Sequence, residues 1–292
     1  FKLNPKDQLS AGEVGYIVAG VKSVQDIEIG DTITALDRQA DEPIPGYQEA
    51  RQVVFSSVYP MSTDEYQDLT KALDKLAIND AALTYEKDSS AALGFGFRCG
   101  FLGLLHLDVI QERLQREFDI GLVISAPSVK YKLNLKDGTT IEVDNPSYWP
   151  DPTNIDSASE PYIKASILTP EEYVGPVMEL CREHRSETQT MNYLSAGRVE
   201  VSSEMPLGEV LFDFYGKLKM ITRGYGSFDY VPIEYRTTDV VKVDILVNKE
   251  PIDALAYLVH REKARARALH YCEQLAEAIP RHQFKIPIQG AI

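Results

Sequence analysis

The sequence predicts an α+β multidomain chain built mainly from two copies of one β-α-β-β-α-β unit. Three observations carry this. The chain has 292 residues, more than one domain of ~100–200 residues. Hydrophobic residues make up 44%, enough for real cores. The same order of strand-like and helix-like apolar periods occurs twice along the chain.

The elements follow in order. Residues 11–34 are short β-rich runs punctuated by Gly12, Gly15, Gly20 and Gly30, as in the last strands of a small barrel. "DEPIPGY" (41–47) reads as a linker, so residues 1–48 form the end of a barrel and its exit. "RQVVFSSVYP" (51–60) reads as a strand. A helix follows, capped by Ser62 or Thr63, with Tyr66, Leu69, Leu73 and Leu76 at helical spacing and Asn79–Asp80 at its end. "LTYEKD" (83–88) and "LGFGFRC" (93–99) are two further strands. A helix is expected over about 101–119, with Leu102, Leu105, Val109 and Ile110 on its apolar side. "LVISAPSVKYKL" (122–133) closes the first unit, residues 49–133, as a ferredoxin-like sandwich.

Residues 134–158 hold an Asp137–Gly138 hairpin tip and a Pro/Asn/Ser-rich connection. The order then repeats over residues 159–241. There is a strand (161–170), a helix (171–186) with Tyr173, Val177 and Leu180 on one stripe, and a hairpin (188–194 and 198–205) around Ala196–Gly197. A helix (207–224) ending at Gly224 and a long strand with its extension (226–248) complete the second sandwich. Residues 242–292 begin an α/β C-terminal domain, with a helix from about Ile252 to Ile279, ended by Pro280. The chain starts without Met and stops in a strand-like run, so it is expected to be part of something longer.

The net charge is −14, which argues against indiscriminate nucleic-acid binding. Of 30 Lys/Arg and 44 Asp/Glu, residues 242–292 hold 8 and 6. Any nucleic-acid contact is therefore local. Cys99, Cys181 and Cys272 are odd in number and far apart, which suits neither disulfides nor zinc. No signal peptide and no apolar run of about 18 residues is present. There is no GxxxxGK[ST], HExxH or CxxC. "VNKEP" (247–251) carries Pro251 where a guanine-reading NKxD would carry aspartate. No catalytic apparatus and no metal site is expected.

"GFGFRCGFLGLLH" (94–106) concentrates glycine with an arginine, a thiol and an imidazole. Strand alternation puts Leu93, Phe95, Phe97 and Cys99 on the helix-facing side. Gly94, Gly96, Arg98 and Gly100 then form a nearly bare face. Strand glycine of this kind marks the close approach of another surface. Either a neighbouring domain packs there, or Arg98 protrudes to a phosphate or a partner carboxylate. The bare face also predicts that valine at Gly94 or Gly96 leaves the fold intact. Cys99 lies on the apolar side, so Cys99 and His106 read as a buried thiol and a core-edge histidine rather than a nucleophile and its base.

Two basic groups complete the candidates. Lys217, Lys219 and Arg223 sit towards the end of the second sandwich's second helix, where positive charge complements the helix dipole. In "HREKARARALH" (260–270) a spacing of two splits the cations. Arg261 and Arg265 share the stripe of Leu258, Leu269, Cys272 and Ile279, so they are expected at the core. Lys263 and Arg267, with His260 and His270, are expected to face solvent and RNA phosphate.

Several longer stretches resemble one family. "ALGFGFRCGFLGLLHLDVIQERLQREFD" (92–119) is similar to the hallmark of the LepA, or elongation factor 4, family, and its "GLLHLDV" (103–109) is similar to the "GELHLDV" of elongation factor G. Residues 12–34, 206–230, "LVHREKA" (258–264) and "IPRHQFKIPIQ" (279–289) resemble the same family. The resemblance implies a translational GTPase that binds the bacterial-type ribosome and acts on tRNA position around translocation. It implies GTP and Mg2+ in the parent protein, and neither in this piece, which would lack the GTPase domain and a basic tail. Implied partners are rRNA, ribosomal proteins, tRNA and the GTPase domain in cis, without DNA and without an obligate oligomer. Implied location is cytoplasmic, with peripheral membrane contact as a further expectation. Residues 49–133 become domain III-like and 159–241 domain V-like, and the resemblance implies that Lys217, Lys219 and Arg223 face rRNA. "CEQLAEA" (272–278) departs from the lysines that family members often carry there. A different class stays open: paired ACT-like units that bind a small regulatory molecule.

Overall fold

The computed structural model describes residues 5–17, 31–42, 51–80, 82–194, 197–211, 213–280 and 286–292. The chain divides into two units between Glu49 and Ala50. In the N-terminal unit, the described residues show a bridge between Ala35 and Arg38 and a Lys6–Glu13 ion pair of 3.0 Å. The expected barrel strands fall largely on residues 18–30, outside the described residues.

The second unit begins with the predicted sandwich. Its elements are β1 (Val54–Pro60), α1 (Tyr66–Asn79), β2 (Thr84–Ser90), β3 (Gly94–Phe101), α2 (Leu104–Phe118) and β4 (Leu122–Ile124). The antiparallel sheet runs β2-β3-β1-β4, with Ser57 opposite Arg98 and Val58 opposite Phe97. Period-2 placement turns Phe97, Cys99 and Phe101 towards Leu69, Leu73 and Leu76 of α1 and Leu107, Ile110 and Leu114 of α2, all buried. Two details differ from expectation. Ser62 opens a 3-10 turn without a side-chain cap. On α2 the buried stripe is Leu107, Ile110 and Leu114, while Leu102, Leu105 (77% exposed) and Val109 face outwards. Both stripes have helical spacing, so periodicity alone could not choose between them.

The segment expected as one strand over 122–133 is two. β4 ends at Ile124, "SAP" (125–127) interrupts the ladder, Ser128 bridges once more to Phe55 of β1, and β5 (Tyr131–Leu135) follows. β5 pairs with β6 (Thr140–Val143) around Asp137–Gly138 and joins the second sheet through β7 (Ile155–Pro170). The physical reason is Pro127, which has no N–H to offer a ladder. The second sandwich continues with α3 (Val174–Glu183), β8 (Thr188–Tyr193), β9 (Arg198–Pro206), α4 (Leu207–Val210), α5 (Phe214–Ile221) and β10 (Ser227–Thr238). Its sheet runs β6-β5-β7-β9-β8, with β10 paired to β7. The strands β8-β9-β7-β10 repeat the second-third-first-fourth order of the first sandwich. Ile163, Ala165, Ile167, Val199, Val201 and Met205 meet Val177, Leu180, Phe214 and Leu218 in its core. The helix expected over 207–224 is broken at Asp213, which has φ 56°. The apolar spacing runs through the break, so the sequence pattern hides it. Gly224 ends the helix at φ 85°, with its N–H on the Lys219 carbonyl at 2.8 Å.

The third layer is β11 (Val240–Val247), β12 (Glu250–Pro251), β13 (Tyr257–His260), α6 (Arg261–Ala278) and β14 (Ile288–Ala291). β11 carries β12, β13 and β14 along its length. The helix expected from Ile252 starts nine residues later, at Arg261. "YLVH" pairs with Val240–Val243 instead, which sends Tyr257 and Val259 to α6 and Leu258 to the core of the sandwiches.

Candidate functional site

Arg98 does not protrude. It is 5% exposed, and its guanidinium donates to Asp144 Oδ2 (3.2 Å), the Asp144 carbonyl (2.5 Å), Ser57 Oγ (3.1 Å) and Ser128 Oγ (2.6 Å). A carboxylate does meet it, but one from the same chain, on the segment after β6. The glycine face is closed in the same way. A Cβ at Gly96 would lie 2.6 Å from the Val58 carbonyl oxygen and against the Tyr59 ring. One at Gly100 would lie 2.5 Å from Thr84 Oγ1. Gly94 has φ 79°. The close approach expected of a separate surface is thus made by Tyr59 and Thr84 of neighbouring strands, and valine at Gly94 or Gly96 would be strained.

Cys99 is fully buried, and burial pushes its thiol up to about 12. His106 accepts the Leu102 N–H at Nδ1 (3.1 Å) and meets Asp80 Oδ2 at Nε2 (3.0 Å). These are structural roles. Among the described residues, no group of three or more His, Cys, Asp or Glu could hold a metal, and no helix is long and apolar enough to cross a membrane.

The end of α5 is different. Lys217 and Arg223 are exposed, and Arg223 stands at φ 50° beside Gly224. Lys219 is drawn into the turn, donating to the Gly226 carbonyl (2.7 Å) and lying over the Tyr215 ring. Around these cations the sequence reading missed an apolar and aromatic group: Tyr215, Met220 (72% exposed) and Tyr225 (71% exposed). The "KLKMITRGYG" pattern of basic residues interleaved with tyrosine and methionine was the available signal. Exposed aromatic faces beside cations can stack on bases while the cations meet phosphate.

On α6 the expected orientation is reversed. Ala264 and Ala268 are the buried positions, and Arg261, Arg265 and Leu269 face out, while His270 faces solvent and Cys272 packs inwards as expected. Lys263 and Arg267 turn inwards. Lys263 Nζ donates to Glu209 Oε2 (2.8 Å) and the Glu183 carbonyl (2.7 Å), and Arg267 reaches the same Oε2 at 3.2 Å. Glu209, on α4, is 3% exposed. Arg185 stands 3.7 Å from its other oxygen and donates to Glu160 at 2.7 Å. Burial opposes ionisation of Glu209, but the Lys263 hydrogen bond and the charges of Arg267, Lys263 and Arg185 outweigh it and hold the carboxyl below its ordinary value. Burial likewise pushes His184, which bonds the Glu209 carbonyl at 3.0 Å, down. His260 is half-buried, 4.0 Å from Glu262. The physical reason for the reversal is that alanine lets β14 approach α6 closely, so small residues and not Leu269 mark the inner side.

A family model described as "Elongation factor G C-terminus" matches residues 157–246, and one described as "GTP-binding protein LepA C-terminus" matches residues 247–292. "Elongation factor 4 2" of Rhodopirellula baltica is 88% identical over 292 residues, 100% of this chain and 49% of that protein. "Elongation factor 4" of Desulfotalea psychrophila is 63% identical over 284 residues, covering 97% of this chain and 48% of the relative. That of Syntrophobacter fumaroxidans is 58% identical over 288 residues, 99% and 48%. The chain spans about half the length of these relatives. With the two sandwiches in place and the likeness running through every residue, the chain belongs to the elongation factor 4, or LepA, family.

Proposed function

We propose that this chain is the ribosome-docking half of a translational GTPase that works in the cytoplasm on tRNA position around translocation. The observation that carries the reading is 88% identity to an elongation factor 4 along the entire chain. In the full-length protein, GTP and Mg2+ belong to a GTPase domain in cis. This half supplies shape and binding and no reacting group. Lys217 and Arg223, exposed beside Tyr225, are the residues that meet rRNA; Lys219 shapes their turn.

The test is co-sedimentation with bacterial ribosomes over a salt series. Lys217→Ala with Arg223→Ala weakens binding and flattens its salt dependence, by about 0.7–0.9 in log–log slope for each phosphate no longer neutralised. Unchanged affinity and slope would assign both cations to the helix dipole alone. A chain that fails to bind ribosomes at any salt concentration would overturn the reading itself.

A further inference from the structure

Besides Leu258, which enters the core of the sandwiches, the third layer is fastened to them by two polar attachments of unlike character. One is the buried Glu209 cluster, seated beside Ala264 and Ala268 of α6. The other lies at the edge of solvent. Asp253, in a short 3-10 turn after β12, accepts Ser90 Oγ at Oδ1 (2.7 Å) and the Ala91 N–H at Oδ2 (2.7 Å). Its Oδ1 also accepts the Ala254 N–H at 2.8 Å. Ser90 Oγ in turn accepts the N–H groups of Ala92 (3.2 Å) and Leu93 (3.1 Å). The β2–β3 turn is therefore folded around a carboxylate donated from 163 residues downstream.

The β2–β3 turn is itself closed by the ladder of its two strands, which ends on Ser90 opposite Gly94, so the Asp253 carboxylate is an addition to a hairpin that is already paired. Asp253, Ala254 and Ala256 line a polar crevice of only about 10 Å³ together with Ser57, Tyr59, Arg98 and Asn145, room for about one water molecule. The two donors differ in exposure: Ser90 is 6% exposed and Ala91 is exposed, with Asp253 half-buried between them, so water reaches the contact from the Ala91 side. A charge-assisted hydrogen bond in such a place exchanges readily with solvent and with competing anions.

We propose that Asp253 is a releasable clasp, and that the Ser90–Leu93 turn is an oxyanion receptor which the chain fills with its own carboxylate. A carboxylate or phosphate from outside would take the same two donors, Ser90 Oγ–H and Ala91 N–H, and free the Asp253 end of the third layer. The Glu209 anchor stays closed meanwhile.

Amide hydrogen exchange by NMR on the full 292-residue chain tests this. In Asp253→Ala, the Ala91 amide exchanges about tenfold faster or more, as for the loss of a charge-assisted hydrogen bond. The Ala268 amide keeps its protection. Sodium acetate and sodium phosphate, each compared with chloride at equal ionic strength, shift the Ala91 signal of the variant and restore its protection. Acetate and phosphate arms separate the two sources of oxyanion. The unaltered protein, with its receptor filled, responds more weakly to either. Unchanged Ala91 exchange in the variant would overturn the clasp. Loss of Ala268 protection in parallel would show that the two attachments are one. A variant no more responsive to acetate and phosphate than to chloride would overturn the receptor.

Discussion

His106 Nε2 lies 3.0 Å from Asp80 Oδ2, while its Nδ1 accepts the Leu102 N–H at 3.1 Å. Because Nδ1 is the acceptor, the proton is on Nε2, which donates to Asp80. One imidazole therefore joins the end of α1 to the start of α2, whose N-cap, Gly103, has no side chain to offer. His106→Ala is expected to lower stability by about 1–2 kcal/mol, measured by urea denaturation. His106→Asn, which can mimic Nδ1 only, recovers part of that. A stability equal to the unaltered chain in both would remove the imidazole from the fold's support.

Gly96→Ala is expected to destabilise the first sandwich by about 1–3 kcal/mol, since the new methyl meets the Val58 carbonyl and the Tyr59 ring. Gly94→Ala, whose methyl would make only an ordinary 3.6 Å contact with Thr63 but would sit at φ 79°, costs about 1 kcal/mol. Thermal or urea denaturation ranks the two. An alanine at Gly96 that leaves the midpoint in place would mean that Tyr59 moves aside without cost.

Glu209→Gln leaves Lys263, Arg267 and Arg185 facing a neutral amide, and is expected to cost about 3 kcal/mol or more. Lys263→Ala and Arg267→Ala fall in the same direction. Arg261→Ala is near neutral, because its Asp239 pair is exposed on both sides. Arg265→Ala, at an exposed position, is near neutral too. The opposite ranking would place the other face of α6 inwards.

The same carboxylate sets an acid limit. Glu209 has a folded value below its ordinary one. A depressed carboxyl contributes stability that is fully present above its unfolded value, about 4.3, and lost as pH falls through the folded value. Unfolding free energy measured from pH 6 down to pH 3 should fall, and Glu209→Gln should fall less steeply. Parallel slopes would assign the acid loss to other carboxylates.

Where the sequence spoke clearly, one local pattern settled one element. The alternation of β3, the leucine ladder of α1, the Asp137–Gly138 hairpin and the Gly224 stop each depend on neighbours within a few residues. What stayed hidden depends on distance. Arg98 meets Asp144, 46 residues away, and Lys263 meets Glu209, 54 residues away. No spacing rule carries such pairings, and a lone cation reads as exposed until its partner is known. Short strands were the other blind spot. "YLVH" has four residues, and inside a longer run expected as helix from Ile252 they read as part of that helix. The α2 and α6 rotations failed for a third reason: two stripes of helical spacing compete, and only the partner surface selects one. The α5 tip was half legible, its cations noted and its tyrosines passed over.

β7 is sixteen residues long, and its two halves have different partners: the first pairs with the β5 strand of the hairpin, the second with β9. The hairpin in turn delivers Asp144 to Arg98. Buried side chains of both sandwiches form one continuous cluster. Melting of either sandwich therefore withdraws support from the other, and the two sandwiches should lose structure as a single cooperative event, with no species in which one is folded and the other open for a protease to trap.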